Sequence, residues 1–419
     1  MSGAESPRGS PPATRRRLPA TFAALGWPNY RLWFFGQMTS LFGTWMQSTA
    51  QGYLVFELTR SSAWLGYTGF AGGIASWVFT LFGGVLADRV SRRSILVVTQ
   101  GLSMLLAFAL SALVFARVVA PWHIIVLAFF LGIVNAFDAP ARQSFVLEMV
   151  SREHLTNAIA LNSTMFNAAT VVGPAVGGLA YAAFGPGWCF AINGASFLAV
   201  IAALLAMRLG PAPAVHPPRG VRVQVVEGLR AIAAERRILA LIVLVALTSL
   251  FGFSIVTLMP AWAVKVLGGD ARTNGLLQSA RGAGALAAAL GIASLGAARG
   301  RGRLLTAGSL AFPVALAGLS FTRTLPLSLA GLFLAGAALI AMFNLANALV
   351  QTLVPDAVRG RVMSVYNLAF LGVAPIGSLA IGAAAERFGE PSAVLAFAAM
   401  SLACTGGIAL AVPSLRRLG

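Results

Sequence analysis

Charge is what this sequence is short of: Asp, Glu, Lys and Arg together make up 10% of its 419 residues, against roughly 25% in soluble globular chains. With 58% hydrophobic residues and a mean hydropathy of +0.83, a water-soluble core is excluded and a bilayer is the solvent that fits. Cysteine is almost missing. Cys189 and Cys404 stand far apart inside apolar runs, so neither a disulfide framework nor a thiolate metal site is implied, and both read as packing residues. The three histidines, His123, His154 and His216, sit near run ends or in a polar stretch, without metal-ligand spacing. No Gly-rich phosphate loop ending in Lys and Ser/Thr occurs, which argues against direct ATP use. Neither an enzyme nor a metal or cofactor protein is expected.

What is abundant is apolar sequence in runs of crossing length. Spanning hydrocarbon takes roughly 20 residues, and dividing the charge-free runs at their turns predicts twelve spans. They cover 32–56, 63–87, 94–116, 122–145, 156–184, 188–207, 238–264, 273–298, 304–322, 326–352, 362–385 and 391–412. The uncharged stretch 155–207 is cut in two by the tight-turn sequence Gly185-Pro186-Gly187. Residues 1–20 are rich in Ser, Pro and Arg and have no apolar core, so a disordered cytoplasmic tail is expected rather than a signal or transit peptide.

A net charge of +18 suggests nucleic acid only until the basic residues are placed, because they lie between spans and on no single amphipathic face. Twenty-three of the thirty fall on one side of the predicted spans; Arg60, Arg117, Lys265, Arg272, Arg323 and Arg387 fall on the other. The positive-inside rule then puts both termini in the cytoplasm of a multi-pass protein of a bacterial inner membrane, with lipid and not nucleic acid around it.

The longest polar stretch, 208–237, contains Pro211, Pro213, Pro217 and Pro218 and then a basic segment that reads as a surface helix. It divides the chain into a tail (1–29), a six-helix bundle (30–207), a linker (208–237), a second bundle (238–412) and a tail (413–419). The bundles repeat each other. Thr39-Ser40-Leu41-Phe42-Gly43 recurs as Thr248-Ser249-Leu250-Phe251-Gly252, and the same offset of 209 pairs Gly66 with Gly275 and Arg92 with Arg301. Further on an offset of 204 pairs Gly132 with Gly336, Gly178 with Gly382 and Phe184-Gly185 with Phe388-Gly389. Six spans being an even number, the copies share one orientation, the parallel-repeat arrangement in which a solute site forms at midplane between rocking halves. The expected fold is all-α, twelve transmembrane helices in two six-helix parallel pseudo-repeats; chance matching of apolar sequence is the plain alternative.

Three motifs carry more. Between spans 2 and 3 runs Gly83-Gly84-Val85-Leu86-Ala87-Asp88-Arg89-Val90-Ser91-Arg92-Arg93-Ser94. Gly84 lets two helices approach, Asp88 can accept from an opposing helix N-terminus, and Arg89 or Arg92 can pair with a carboxylate, which together would latch an inner gate. Anchoring by positive charge alone is the alternative. This loop resembles the signature of the major facilitator superfamily. In span 5, Gly173-Pro174-Ala175-Val176-Gly177-Gly178 combines close-contact glycines with a proline that weakens the backbone ladder, a bend or pivot, although packing also selects small residues. It resembles the superfamily's exporter-associated motif, and export is what that resemblance implies.

The third motif is Asn135-Ala136-Phe137-Asp138-Ala139-Pro140-Ala141-Arg142-Gln143-Ser144-Phe145-Val146-Leu147-Glu148, followed by Leu155-Thr156-Asn157 and Asn162-Ser163. It is similar to the enterobactin-exporter-like group of the superfamily, the transmembrane secretion effectors or drug-proton antiporter 3 group, which includes siderophore and macrolide exporters. The resemblance implies secondary active export of small amphipathic molecules, siderophore-like or hydrophobic drugs, by a monomer using alternating access and proton antiport. One departure is Thr170, where the group commonly has an arginine. Asp138 and Arg142, one turn apart, can pair with each other or with Arg89 across the gate, and the pairing between helices is favoured.

Of the twelve acids only Glu57 and Asp138 are candidates for coupling, both near span ends, and no carboxylate falls at midplane. Arg281 is the one charge well inside a span. It reads either as a cavity residue that attracts an anionic or phenolate-bearing substrate together with Gln278, or as a side chain that snorkels outward or pairs with Glu57. By resemblance, cavity lining falls to Gln37, Thr44, Gln47, Gln51, Asn135, Thr248, Ser254, Thr257, Asn344, Asn347 and Gln351, with Trp45, Phe137 and Phe343 as apolar walls. Uncharged polar groups in spans also tie helices together, and a non-transporting sensor or assembly partner is the rival function.

Overall fold

The computed structural model describes residues 20–209, 221–295 and 300–418. After a short 3-10 turn (Ala20–Gly26) come α1 (Pro28–Thr59), α2 (Ser62–Arg89), α3 (Arg92–Phe115), α4 (Pro121–Met149), α5 (Leu155–Phe184) and α6 (Pro186–Ala206). A linker helix, α7 (Val221–Ala234), leads to α8 (Arg236–Phe251). Then follow α9 (Ala271–Leu295), α10 (Arg301–Ser320), α11 (Leu325–Leu353), α12 (Asp356–Phe388) and α13 (Glu390–Ala411). Ten stretches among the described residues are long and apolar enough to cross a membrane, with Arg236–Val266 counted as one. α1 and α2, at 32 and 28 residues, have the length but are not among those ten.

Local chemistry sets the helix boundaries. Proline stands in the first turn of α1, α4, α6, α11 and α13, where the missing N–H is no loss. Gly185 and Gly389, 204 residues apart, join α5 to α6 and α12 to α13 with φ of +84° and +82°, a region that L side chains avoid. The seventh span departs from the continuous helix expected over 238–264. Beyond Phe251 it passes through a 3-10 segment, Phe253–Leu258, and a π-turn, Trp262–Val266. Pro260 supplies no N–H to the carbonyl four residues back, and the Ser254 hydroxyl donates to the Leu250 carbonyl at 2.7 Å, so the regular ladder is interrupted from both sides.

The two halves meet along two pairs of helices, α2 against α12 and α5 against α9. Equivalent glycines make both contacts. A Cβ on Gly66 would stand 2.7 Å from the Ser378 carbonyl oxygen and 3.2 Å from Gly382 Cα; one on Gly275 would stand 2.5 Å from the Pro174 carbonyl oxygen and 3.1 Å from Gly178 Cα. Gly66 with Gly275, Gly178 with Gly382 and Pro174 with Ser378 are the repeat partners of the sequence. Within the halves the correspondence persists: Gly132 abuts the Gly72 carbonyl and Gly336 abuts the Arg281 carbonyl.

The Gly66–Gly382 and Gly178–Gly275 crossings lie toward the end of the bundle remote from the chain termini, hereafter the far end, and Gly372 against Trp77 and Gly282 against Thr170 carry the same seams to mid-bundle. At the near end residues 20–26 pack on α5, Leu418 accepts from the Gly302 N–H at 2.8 Å, and α7 docks on the start of α12. The basic segment read as a surface helix is thus tied to the second bundle, through Arg361 and Glu227 at 2.7 Å and through Gly228 against the Arg361 carbonyl. The proline-rich part of the linker lies outside the described residues.

Because lipid contact replaces helix contact at little cost, backbone proximity at small residues carries these interfaces. Gly275→Leu is therefore expected to lower the unfolding midpoint in detergent by several degrees and to disrupt closure at the far end. Gly291→Leu on the same helix, where a Cβ meets nothing within 4 Å, should leave the midpoint unchanged. Differential scanning fluorimetry of the two variants checks this.

Candidate functional site

At the near end, the gate residues read from sequence sort into those that interact and those that do not. Arg92 Nη1 on α3 meets Glu148 Oε1 on α4 at 2.6 Å, both side chains mostly buried. Arg89 is exposed at the end of α2, and the side chain of Asp88 lies outside the described residues. Gly84 does not make the close approach expected of it, since a Cβ there would meet nothing within 4 Å. Its neighbour Gly83 does, against the Ala136 carbonyl and Phe137 Cα of α4, because Gly83 is the glycine that faces that helix.

Asp138 is buried and fully engaged. Its carboxylate accepts from Thr99 Oγ1 at 3.0 Å and Gln100 Nε2 at 2.8 Å, both on α3, and pairs with Arg142 Nε at 3.2 Å one turn along α4. The favoured pairing of Asp138 with Arg89 is therefore corrected. The ion pair is intrahelical, and the link between helices is made by neutral donors, which compensate a buried carboxylate without a second desolvated charge. Thr99, Gln100 and Glu148 were missed because uncharged donors and a turn acid carry no motif of their own.

The glycines of α5 face two partners. Gly173 abuts Trp45 and Gly177 abuts Met46 on α1, within the same half, while Gly178 and Pro174 meet Ala271 and Gly275 of α9 in the other. One helix is thus wedged between its own bundle and the opposite one. Thr170 donates its hydroxyl to the Phe166 carbonyl at 2.9 Å, and its own carbonyl lies against Gly282 of α9.

The far end holds a cluster that sequence reasoning overlooked. Glu386 of α12 accepts from Ser61 Oγ at 3.0 Å and from the Ser62 and Ala63 backbone N–H groups at 2.8 and 3.3 Å. A carboxylate of the second half thereby caps the N-terminus of α2 in the first, where the helix dipole favours negative charge. Glu390, 4% exposed, accepts from Ser62 Oγ at 2.7 Å and from Lys265 Nζ at 2.8 Å, and Lys265 lies 5.5 Å from the Phe56 ring centroid. The Asn274 side chain adds a 3.4 Å bond to the Thr49 carbonyl across the halves. The available signal was two acids, Glu386 and Glu390, flanking a helix junction, and the single lysine of the chain, 125 residues from Glu390 but on the same side of the predicted spans. Glu57, a coupling candidate, is exposed at this end and accepts from the Tyr181 hydroxyl.

Burial sorts the cavity candidates. Gln37, Gln47 and Thr248 are buried, and Gln47 serves as helix glue, accepting from Asn193 Nδ2 of α6 at 2.7 Å. Thr44, Asn135, Asn344 and Gln351 are exposed; Gln51, Thr257, Gln278, Arg281 and Asn347 are half-buried. Thr257 is committed to Ser378 at 2.9 Å, Gln278 donates to Asn274 at 3.2 Å, and buried Ser254 is spent on the backbone. Trp45 and Phe137 are half-buried and Phe343 packs on Phe370 with ring centroids 4.3 Å apart. Polar side chains of α1, α4, α9 and α11 thus reach accessible surface in mid-helix, while the far end is closed by the carboxylate clasp.

Glu390→Ala should leave the Lys265 ammonium and the Ser62 hydroxyl without their shared partner and weaken the clasp. Double-mutant cycles between Lys265→Met and Glu390→Gln are expected to return a coupling on the order of 1 kcal/mol or more, read from thermal unfolding. Additive effects would show that Lys265 and Glu390, both of the second half, do not support each other.

Comparison with known proteins places this geometry in context. Residues 19–417 match the family model described as transmembrane secretion effector. The chain is 24% identical over 367 residues to the staphyloferrin A transporter of Staphylococcus aureus, covering 85% of this chain and 90% of that protein. It is 27% identical over 396 residues to the multidrug efflux pump Tap of Mycolicibacterium fortuitum, covering 92% and 95%. A third relative, the enterobactin exporter EntS of Shigella boydii, is 27% identical over 197 residues, 46% of this chain and 45% of that one. Among solved structures, the peptide transporter POT superposes with a TM-score of 0.75 at 13% identity, covering 93% of this chain and 95% of that one. The nucleoside transporter NupG gives 0.70 at 14%, covering 94% and 99%. The chain belongs to the transmembrane secretion effector family of the major facilitator superfamily, a membrane transporter and not an enzyme.

Proposed function

We propose that this protein is a secondary active exporter of small amphipathic molecules, siderophore-like compounds or hydrophobic drugs, working as a monomer by alternating access and proton antiport. The near end is cytoplasmic in this reading, because it carries the great majority of the arginines. The end sealed by the glycine crossings and the carboxylate clasp is then the outer one. The observation that supports the proposal is the asymmetric closure: repeat-related glycine contacts and the Glu386 and Glu390 clasp join the halves at the far end.

Charge placement supports export with few moving parts. The Arg92–Glu148 pair and the Asp138 network join helices of the same half, so that they stiffen the first bundle as it rocks. The clasp joins different halves and must break for the outside to open. Asp138 and Glu57 are the carboxylates proposed for coupling.

Purified protein in vesicles with an imposed pH gradient is expected to move a hydrophobic dye or a siderophore uphill, and a protonophore should abolish that movement. Asp138→Asn should reduce the rate at least tenfold. If neither class moves under a pH gradient or a membrane potential while the protein stays folded, the sensor or assembly reading replaces this one.

A further inference from the structure

The first bundle has a polar interior that the second lacks. Trp33 packs edge-on against Phe145 of α4 with ring centroids 5.6 Å apart, in one buried cluster with Leu96 of α3 and Ala141 of α4. α1 and α3 run inward from the near end and α4 runs back toward it. One turn deeper than this cluster stand Gln37, four residues after Trp33, Gln100, four after Leu96, and Asp138, three before Ala141. Their side chains therefore leave the three helices on one side and at similar depth. Three polar atoms here have no hydrogen-bond partner among the described residues: Trp33 Nε1, Gln37 Oε1 and Gln100 Oε1, all on residues more than nine-tenths buried.

Buried polar atoms left unpaired are costly, and proteins meet them with ordered water. One water matches these three, since its two hydrogens suit the two amide oxygens and a lone pair suits the indole N–H. Gln100 links that position to Asp138, because its Nε2 donates to the carboxylate at 2.8 Å while its Oε1 stays to spare. Packing does not require any of these groups. At the repeat offsets of 209 and 204 the counterparts of Trp33, Gln37, Gln100 and Asp138 are Ile242, Ala246, Ser309 and Met342. Met342 is fully buried and the Ser309 hydroxyl is spent on the Thr306 carbonyl of its own helix at 2.9 Å, so the same bundle forms with an apolar interior at this level.

Few charges surround Asp138. Arg142 pairs with it from α4 itself, Arg92 on α3 is held by Glu148, and Arg93 by the Leu205 carbonyl. Arg31 on α1 and Arg89 on α2 are exposed, and the Tyr30 hydroxyl donates to the Ala158 carbonyl. The Asp88 side chain lies outside the described residues, residues 155–207 carry no charge, and Glu57, Tyr53, His123 and Tyr181 lie toward the far end. Arg142 takes the side of the carboxylate that a metal cation would need, which leaves the proton as the ion that can come and go.

We infer that Trp33, Gln37 and Gln100 hold a water beside Asp138, and that Asp138 exchanges a proton through it, inside the first bundle and apart from the space between the halves. On uptake a proton passes from the water to a carboxylate oxygen, and the water is made whole by a proton from near-end solvent. The Gln100 amide then turns, its Oε1 accepting from the new acid O–H and its Nε2 donating to the water; release reverses both steps. An amide serves here because it offers a donor to the carboxylate and an acceptor to the acid. The inference rests on the export reading for its use as a coupling route, but neither the water nor the proton is read from transport.

The test uses the full-length protein in detergent. Pulsed X-ray radiolysis converts bound water to hydroxyl radicals that oxidise the side chains touching it. Trp33 should be oxidised at least tenfold faster than Trp262, which is equally buried, at 0% exposed against 1%, with its Nε1 held by Ser328. The combined variant Gln37→Ala, Gln100→Ser, Asp138→Met uses the residues of the second bundle; it should fold and bring Trp33 down to the Trp262 rate. Infrared difference spectra between acid and alkaline buffer should show the C=O band of a protonated carboxyl that Asp138→Asn removes. Gln100→Leu should shift that band and slow its hydrogen–deuterium exchange at least tenfold, and Gln100→Asn should keep part of the rate. Trp33 oxidised no faster than Trp262, a rate unchanged in the combined variant, no band lost in Asp138→Asn, or a band indifferent to Gln100→Leu would each overturn the inference. So would a band abolished by Na+ at constant pH, the mark of a metal-cation site. Failure of vesicle transport with both signals intact would count against the export reading alone.

Discussion

Helices in hydrocarbon gain little by burying apolar side chains against one another, because lipid offers the same contacts; close backbone approach is what remains to hold them. In this protein that constraint is met at glycines, and above all at the crossings of Gly66 with Gly382 and Gly178 with Gly275. The two crossings are copies of each other through the internal repeat. A carrier must open one side and close the other without dissolving its core, and an interface whose closest crossings are made by small residues can part and re-form as a unit.

Charge is used sparingly and by location. At the near end, carboxylates are matched within one half: Glu148 with Arg92, and Asp138 with Arg142, Thr99 and Gln100. At the far end, Glu386 and Glu390 reach across the halves to the start of α2. In the proposed transport cycle, interactions within a half are kept and those between halves are made and broken. Arg281 fits neither class: its Nε is buried without a partner.

The seventh span shows the same economy in its backbone. Its helix is interrupted in the region beside Arg281, and side-chain hydroxyls and local turns take up the carbonyls so released. Irregular backbone at membrane depth is tolerated only where protein or a cavity surrounds it, and here buried Ile255, Leu258, Met259 and Trp262 set it in the core of the second half.

Sequence by itself determined the solvent, the repeat and its register, and the helical class. Each of these follows from quantities that are local or periodic: low charge, runs of apolar residues, and matches at constant offsets such as Gly66 with Gly275. It also singled out Arg281, since one charge in an apolar run needs no partner to be noticed. Tertiary structure alone decided which partner each polar group takes. Asp138 chooses Thr99 and Gln100 over Arg89, Gly83 and not Gly84 touches α4, and Glu386 and Glu390 seal the far end with Ser62 and Lys265, more than a hundred residues away. The physical reason is that hydrogen bonds and close contacts depend on distances of about 3 Å, and one step along a helix turns a side chain by about 100°. A pattern read along one helix therefore names the candidates, and only the packed neighbours select among them.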